Sequence, residues 1–261
     1  MKYVVLSFDD GLHDFIDYVL PVLNKYNIKA SINICAKFSM DGFADGAKCI
    51  SPTEVKALFE QGHEIAIHSY SHLRKETPDD FSLALQTIQQ WIGEDYCRYG
   101  AVMPHNGVPS SELESYFVDN NYLYVALRHK TRIKKDFQWF LIRFLHKIFK
   151  SGYLDWLYQN YYSLNDILSC RNPLYVNRLN IWEDTDPNWV IGLLKLMNKK
   201  KYATIMFHSI VGTVDDNTVF YKKGSWKKEY FIQLIEWIMK NKKRYKIITQ
   251  IEATELKHND F

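Results

Sequence analysis

The chain has 261 residues, of which 47% are hydrophobic, and this is enough to bury the core of a single α/β domain. A net charge of +3 is too small to indicate nucleic acid as a partner. No run of apolar residues approaches the roughly 18 that a membrane-spanning helix needs. The first predicted strand leaves no room for a secretory leader, so we expect a cytoplasmic protein.

The cysteines also fit the reducing conditions of the cytoplasm. The four cysteines show neither a C-x-x-C pair nor zinc-finger spacing, and we expect reduced, structural thiols. They are Cys35, Cys49, Cys97 and Cys170.

Predicted strands and helices alternate along most of the chain. Apolar runs predict strands over 4–8, 30–36, 62–68, 98–103, 122–127, 175–182, 203–208 and 245–248. Helical spacing and start signals predict helices over 15–26, 52–61, 77–91, from 109 onward, from 187 onward and over 226–240. This order is typical of an α/β domain with a parallel sheet or barrel and right-handed crossovers.

The alternation breaks over residues 130–173, which we interpret as a helical insertion within one domain spanning 1–261. A helix within 134–150 gathers its apolar residues on one face. These are Phe137, Phe140, Leu141, Phe144, Leu145 and Ile148, while Lys134, Lys135, Arg143, Lys147 and Lys150 lie elsewhere. We expect the apolar face to pack on the chain's own core or to support oligomerisation, with contact to an anionic membrane surface as the alternative.

Three apolar strands end in ionisable residues, which should lie at the same edge of a parallel sheet. The first strand runs into Asp9, Asp10 and Gly11, and the other two end at His68 and His208. Because neighbouring side chains on a strand point to opposite faces, one aspartate could bind while the other reacts. The alternative is that Asp10 and Gly11 only form a turn that ends the strand.

The stretch from His68 to His72 places two histidines four residues apart. If it is one helical turn, both imidazoles share a face and can reach one cation. With Asp10 they would form a set of two histidines and one carboxylate, suited to a divalent transition metal and to hydrolysis. The alternative is a pair of surface or capping histidines.

Two motifs together resemble the polysaccharide deacetylase family, also described as the nodulation-factor deacetylase homology domain or carbohydrate esterase family 4. Ser7-Phe8-Asp9-Asp10-Gly11 resembles the family's T/S-F-D-D-G motif, and His68-Ser69-Tyr70-Ser71-His72 resembles its H-S/T-x-x-H motif. The resemblance implies a distorted, incomplete (β/α) barrel of about seven strands. It also implies metal-dependent removal of an N-acetyl group from a carbohydrate.

The resemblance also implies a role for each matching residue. Asp9 would be the general base toward the attacking water, and Asp10, His68 and His72 would hold the metal. Zinc is expected first, with cobalt, nickel, manganese or iron as alternatives. His208 closes a stretch that resembles the family's late apolar strand, and it would be the general acid that protonates the leaving amine.

A carboxylate should orient His208 and raise its pKa. The segment Ile181–Trp189 resembles the family's tryptophan-and-aspartate motif, and it offers Asp184 and Asp186 for this role. Asp186 has an alternative role as the cap of a helix begun by Pro187. Both candidates remain open at this point.

One motif departs from the family pattern. Many members have R-x-P-x-G, with an arginine that orients the base, but this chain has Val102–Gly107 with an apolar residue at the arginine position. Pro104 is kept, and His105 could line the groove. Arg178 could reach the base from another strand, or it could be an ordinary rim charge. Arg98 lies at the wrong end of its strand.

The missing arginine and the insertion favour a remodelled pocket. We expect an N-acetylated amino sugar, a nucleotide- or lipid-linked saccharide, or a glycan intermediate as substrate. Tyr70, Trp182 and Trp189 are candidates for stacking on a sugar ring. Two alternatives are a deformylase or amidase acting on a non-sugar amide or imide, and a catalytically silent sugar-binding protein.

Overall fold

The computed structural model describes residues 1–44, 46–127, 137–149, 151–161, 164–166, 174–199, 201–212 and 224–256. Cys170 and the rest of the predicted insertion over 130–136 and 167–173 lie outside these residues. The three cysteines within them are free thiols, as predicted, with Cys35 and Cys49 buried and Cys97 exposed.

The strands follow the predicted order, with short additions. They are β1 (Lys2–Phe8), β2 (Ser31–Ile34), β3 (Phe43–Ala44), β4 (Ala47–Lys48), β5 (Glu64–Ile67), β6 (Ala101–Val102), β7 (Val125–Leu127), β8 (Leu164–Asp166), β9 (Tyr175–Asn177), β10 (Leu179–Asn180), β11 (Lys201–Phe207), β12 (Ser209–Val211), β13 (Ser225–Lys227) and β14 (Tyr245–Ile248).

The helices cover the outside of the sheet and close one of its ends. They are α1 (Leu20–Lys25), α2 (Ala36–Asp41), α3 (Pro52–Glu60), α4 (Pro78–Ile92), α5 (Ser111–Asp119), α6 (Phe137–Ile148), α7 (Gly152–Asn160), α8 (Pro187–Leu196), α9 (Lys228–Lys240) and α10 (Gln250–Glu255). A π-helical turn over Phe15–Val19 leads into α1, and a 3₁₀ turn covers Pro104–Asn106.

The main sheet curls into a nearly closed barrel. Within the described residues, its strands run in the order β10-β11-β1-β2-β5-β6-β7-β9, and every neighbouring pair on this path is parallel. Only Arg178 separates β9 from β10, so the segment 175–180 contacts β7 on one side and β11 on the other. Counted as one interrupted strand, this segment gives a wall of seven strands. The predicted incomplete (β/α) barrel is confirmed.

Alternation along β1 explains how the barrel is built. Val4, Leu6 and Phe8 belong to the large core between sheet and helices, whereas Val5 belongs to a separate cluster inside the barrel. Ser7 shares the inward face, where it accepts a hydrogen bond from Asn33. A side chain two residues beyond Ser7 therefore enters the open end of the barrel.

The amino end of the barrel is filled by a buried polar network. Glu64 accepts hydrogen bonds from Ser31 Oγ at 2.6 Å, Tyr124 Oη at 2.5 Å and the Ile251 amide of α10 at 3.0 Å. The Gln250 amide donates to Ser31 Oγ at 2.9 Å. This plug leaves the carboxyl ends of the strands as the open mouth, which is where parallel barrels carry their chemistry.

Several predicted elements differ in extent. The predicted strand 175–182 is interrupted at Arg178, where the pairing changes from β7 to β11. The helix predicted from 226 begins at Lys228, because Ser225–Lys227 pairs with Ser209–Val211 as a small extra sheet. The strands predicted over 98–103 and 122–127 are shorter, at Ala101–Val102 and Val125–Leu127, and Tyr99 and Tyr122 before them stack edge to face with ring centroids 4.9 Å apart.

Helices α6 and α7 form an antiparallel pair between β7 and β9. Gln138 accepts a hydrogen bond from Tyr161 near one end of the pair, and His146 contacts Asp155 near the other. Helix α7 packs on α8 through Trp156 and Trp189, whose ring centroids are 6.0 Å apart. None of the described helices is long and apolar enough to cross a membrane.

Candidate active site

The residues predicted to bind metal or to catalyse lie together at the open mouth of the barrel. Asp9 and Asp10 follow β1, His68 follows β5 and His208 follows β11, while β2 lies between β1 and β5. The carboxyl ends of these neighbouring strands form one rim, so residues far apart in sequence become adjacent.

Asp10, His68 and His72 form a compact buried cluster. Asp10 Oδ1 lies 3.2 Å from His68 Nε2 and 3.1 Å from His72 Nε2. One candidate ligand atom from each residue lies within 4.8 Å of the other two. Asp10 and His68 are each only 1% exposed, so water screens this cluster poorly. The three predicted metal ligands are thus brought together.

The hydrogen bonding of His68 indicates that the cluster fits a cation. Its Nδ1 lies 2.9 Å from the carbonyl oxygen of Val102, which can only accept, so Nδ1 carries the proton. In the neutral ring the lone pair of Nε2 then faces the Asp10 carboxylate. Apart from the two imidazoles, neither Asp10 oxygen has a hydrogen-bond partner among the described residues. Two imidazole nitrogens and a carboxylate suit a divalent transition metal, and the bond to Val102 is the outer support such ligands need.

The loop that carries the histidines is not the predicted helical turn. Ser69 and His72 have φ values of 62° and 56°, in the left-handed region. Ser69 Oγ accepts a hydrogen bond from the His72 amide at 3.0 Å, and this local bond replaces the helical one. Both imidazoles still reach Asp10, because the loop folds back on itself.

Asp80, in the first turn of α4, holds this loop from behind. Its Oδ2 accepts hydrogen bonds from the amides of Tyr70 at 2.8 Å and Ser71 at 3.2 Å. The sequence analysis missed Asp80, because an acidic residue after Thr77-Pro78 is expected at any helix start. Its spacing of eight residues from His72 was the available signal.

The side chains of Asp9 and Asp10 point in different directions, but simple strand alternation is not the reason. Strand β1 ends at Phe8, but the Asp9 amide still donates to the Phe207 carbonyl at 2.9 Å, so Asp9 remains on the inward face. Asp10 takes a left-handed conformation with φ of 71°, and Gly11 follows with φ of 65°. The chain thereby turns Asp10 across the rim toward the histidines.

Asp9 is held by two donors on the same oxygen. Arg178 Nη1 and Asn33 Nδ2 each donate to its Oδ1 at 2.6 Å. Burial by itself raises the pKa of Asp9, but the Arg178 guanidinium, with His68 and His208, lowers it, and the net pKa lies below the ordinary value. Asp9 is therefore an ionised carboxylate whose Oδ1 is committed and whose orientation is fixed.

Arg178 is 1% exposed, so it is not a rim charge. It reaches the predicted base from the interrupted wall strand, and its Nη2 donates to Asn106 Oδ1 at 2.9 Å. The segment Val102–Gly107 lacks the family's arginine, but its Asn106 accepts a hydrogen bond from Arg178 and so helps to hold that side chain in place. Arg98 lies elsewhere, paired with Glu255.

Sequence reasoning missed Asn33 and Asn106. Asn33 could have been found, because Ser31 and Asn33 alternate with isoleucines in an apolar strand, and such polar positions point into a barrel. Pro104 is buried, and His105 is exposed with its ring 4.6 Å from that of His72; their predicted role in binding substrate stays a prediction.

His208 lies beside Trp182, whose ring stacks on the imidazole at 6.2 Å between centroids. Asp186 Oδ1 accepts hydrogen bonds from the amide and side chain of Asn188 at 2.7 and 2.9 Å, so it caps α8, as the alternative interpretation predicted. Asp184 is exposed on the preceding bend. The pairing of either carboxylate with His208 stays a prediction.

Asp14 supports the chain just after His208, and it too was missed. It accepts hydrogen bonds from Ser209 Oγ and from the Ile210 amide, the latter at 2.9 Å. Burial raises the pKa of Asp14 to about 6. These hydrogen bonds connect the loop after the Ser7–Gly11 motif to the residues that follow His208, the predicted acid.

The three predicted stacking aromatics have different surroundings. Trp182 is 38% exposed next to His208, which leaves a face for a ligand. Tyr70 is half-buried, and Trp189 is half-buried against Trp156 of the insertion. Trp182 is therefore the best placed of the three to meet a sugar ring at the mouth.

Comparisons with known proteins support this architecture. Residues 1–100 match the sequence profile of the family described as polysaccharide deacetylase, and this range contains both motifs quoted above. No curated protein sequence matches the chain at a significant level.

Several solved structures share the fold at low sequence identity. One is a CE4 family pseudoenzyme from Bacillus anthracis, with 12% identity, a TM-score of 0.53, and coverage of 97% of this chain and 66% of that one. Another is the Xyl-CE4 domain of a multidomain xylanase from the hindgut metagenome of Trinervitermes trinervoides, with 16% identity, a TM-score of 0.52, and coverage of 98% and 91%.

A third is a peptidoglycan N-acetylglucosamine deacetylase, with 14% identity, a TM-score of 0.53, and coverage of 96% of this chain and 87% of that one. This chain spans about two thirds of the pseudoenzyme's length and most of the other two. The predicted resemblance is confirmed: residues 1–100 match the polysaccharide deacetylase family, and the described fold is the (β/α) barrel of the CE4 deacetylases.

Proposed function

We propose that the chain is a metal-dependent hydrolase that removes an N-acetyl group from a carbohydrate. The observation that carries the proposal is the placement of an ionised, fixed Asp9 next to the buried Asp10, His68 and His72 cluster. A bound divalent metal, zinc in the first instance, supplies Lewis acidity toward the amide carbonyl and the attacking water. Asp10, His68 and His72 are the residues that would hold it.

Asp9 acts as the general base. Both Arg178 and Asn33 donate to Oδ1, so Oδ2 is the oxygen left to accept the proton from water. The lowered pKa keeps the carboxylate ionised through the neutral range, at the expense of intrinsic basicity. Arg178 thus orients the base and stabilises its charge, which is the role that the family's motif arginine would otherwise have.

His208 acts as the general acid toward the leaving amine. It follows β11, the neighbour of β1, and its charge contributes to the lowered pKa of Asp9. The Trp182 ring stacked on His208 would shield the amine from water and offer a surface for the sugar.

The metal assignment is tested without any substrate. Protein stripped with a chelator is titrated with zinc, and bound metal is counted by mass spectrometry. We expect one zinc per wild-type chain, loss of binding in Asp10→Asn and retention in Asp9→Asn. Binding lost in Asp9→Asn but kept in Asp10→Asn would reverse the assignment.

Acetate and amine release then test the reaction. We expect turnover of an N-acetylated amino sugar or oligosaccharide, and a decrease of roughly 10²–10⁴-fold in kcat for Asp9→Asn with metal retained. Exclusive turnover of an N-formyl or cyclic imide substrate would favour the deformylase or amidase alternative. Sugar binding without turnover across metals would favour the silent binding protein.

A further inference from the structure

Helix α6 presents an apolar stripe to the outside of the molecule. The stripe follows helical spacing over three turns, and each of its side chains is about half exposed or more. Its members are Phe137 (81% exposed), Phe140 (52%), Leu141 (46%), Phe144 (59%) and Ile148 (54%).

The opposite face of α6 already anchors the helix. Trp139 and Ile142 are 5% exposed, and the ring of His146 stacks on Tyr158 of α7 at 4.7 Å between centroids. The fold therefore anchors α6 through its inward face and leaves much of the stripe exposed. Apolar side chains of this size in one exposed row indicate an interaction surface.

Basic residues are concentrated in the stretch of sequence that contains the stripe. Residues 128–150 contain eight lysines and arginines and a single acidic residue, Asp136, whereas the whole chain has a net charge of only +3. The remainder of the chain is therefore net negative. Within α6, Arg143 and Lys147 are exposed along one edge of the stripe, and Arg143 lies over the Trp139 ring at 5.3 Å.

We propose that α6 docks in the plane of an anionic lipid bilayer, with the stripe at the boundary of headgroups and acyl chains. At 12 residues the helix is about 18 Å long, too short to span a bilayer but sufficient to lie in its surface. Basic residues beside the stripe would meet anionic headgroups, each adding attraction near the surface. A second copy that met α6 with its own α6 is a poorer occupant, because the exposed Arg143 and Lys147 of both copies would be brought together.

Vesicle sedimentation of the full chain tests this proposal without substrate, so its outcome is independent of the deacetylase reaction. We expect binding to phosphatidylcholine vesicles that contain phosphatidylglycerol, weaker binding to phosphatidylcholine alone, and weakening as salt rises. Phe140→Ser combined with Phe144→Ser should reduce partitioning by at least about tenfold, because each phenylalanine loses its burial in lipid. Arg143→Gln combined with Lys147→Gln should reduce binding to the anionic vesicles selectively.

The matched control is Phe43→Ser, which removes an equally exposed phenylalanine, 60% accessible, from a different surface. This variant should bind vesicles like the wild type. Absence of binding to anionic vesicles would overturn the proposal, as would equal loss in the control and the α6 variants. Sedimentation velocity showing a dimer that the α6 double variant abolishes, with no vesicle binding, would assign the stripe to self-association instead.

Discussion

Removing Arg178 should destabilise the protein through the charge it leaves behind on Asp9. The two side chains meet at 2.6 Å, and both are almost fully buried. At that separation, an effective dielectric constant of about 20 gives a gross attraction of about 6 kcal/mol. Desolvation of both ions offsets part of it, and breaking such a pair from one side costs roughly 3–5 kcal/mol. Arg178→Met keeps most of the side-chain volume, so the loss is mainly electrostatic.

A double-mutant cycle isolates this interaction. The free energy of unfolding is measured by urea denaturation for wild type, Arg178→Met, Asp9→Asn and the double variant, all after chelation and at neutral pH. Asp9→Asn removes the charge but keeps an oxygen for its donors. Arg178→Met should therefore cost several kcal/mol in the wild-type background and much less in the Asp9→Asn background, with a coupling of about 2–4 kcal/mol.

The pH dependence gives an independent readout. Because Arg178 lowers the pKa of Asp9, its contribution to stability is present above the unfolded pKa and is lost as pH falls through the lower folded pKa. In Arg178→Met the loss should begin at higher pH. The pairing is refuted if the coupling energy lies within about 0.5 kcal/mol of zero and stability falls at the same acidic pH in wild type and in Arg178→Met. Arg178 would then not pair with Asp9 in solution.

Three further changes test other parts of the site and barrel. Asp80→Ala should weaken zinc affinity roughly 10–100-fold in a chelator competition, because the histidine loop loses its outer support, whereas Asp79→Ala, an exposed neighbour, should leave the affinity unchanged. The pKa of Asp14 is raised to about 6, so the folded state binds its proton more tightly and wild-type stability should fall by about 2 kcal/mol as pH rises from 4 to 6; urea melts of Asp14→Asn should lose this slope, and an unchanged slope would refute the assignment. Gly100→Ala should lower the thermal midpoint by the equivalent of about 1–3 kcal/mol, because its Cβ would overlap the buried Tyr124 ring, and an unchanged midpoint would mean that the ring moves freely.

The barrel could be predicted because its signals are local. Strand length, helix caps and the alternation of elements are each determined by stretches of about 15 residues or fewer. Ser51, for example, caps α3 through a reciprocal pair of hydrogen bonds with Glu54. The cluster of Asp10, His68 and His72 could be predicted because these residues stand in two short motifs. Their ends meet whenever β1 and β5 lie in one parallel sheet.

The support of the site depends on contacts that no local pattern encodes. Arg178 and Asp9 are 169 residues apart, and only closure of the barrel brings them together. The histidine loop was misjudged because side-chain acceptors from Ser69 and Asp80 replace the helical hydrogen bonds that spacing alone suggests. Asp186 illustrates a competition between two roles, in which the local capping bond decides where the carboxylate lies.

The interrupted wall strand around Arg178 connects closure of the barrel with the orientation of Asp9. Residues 175–177 pair with β7 and residues 179–180 pair with β11, so the same few peptide units join the two edges of the sheet and deliver the guanidinium to Asp9. Under the proposed function, orientation of the base therefore depends on closure of the barrel, because the strand that completes the wall is the one that brings the guanidinium to Asp9.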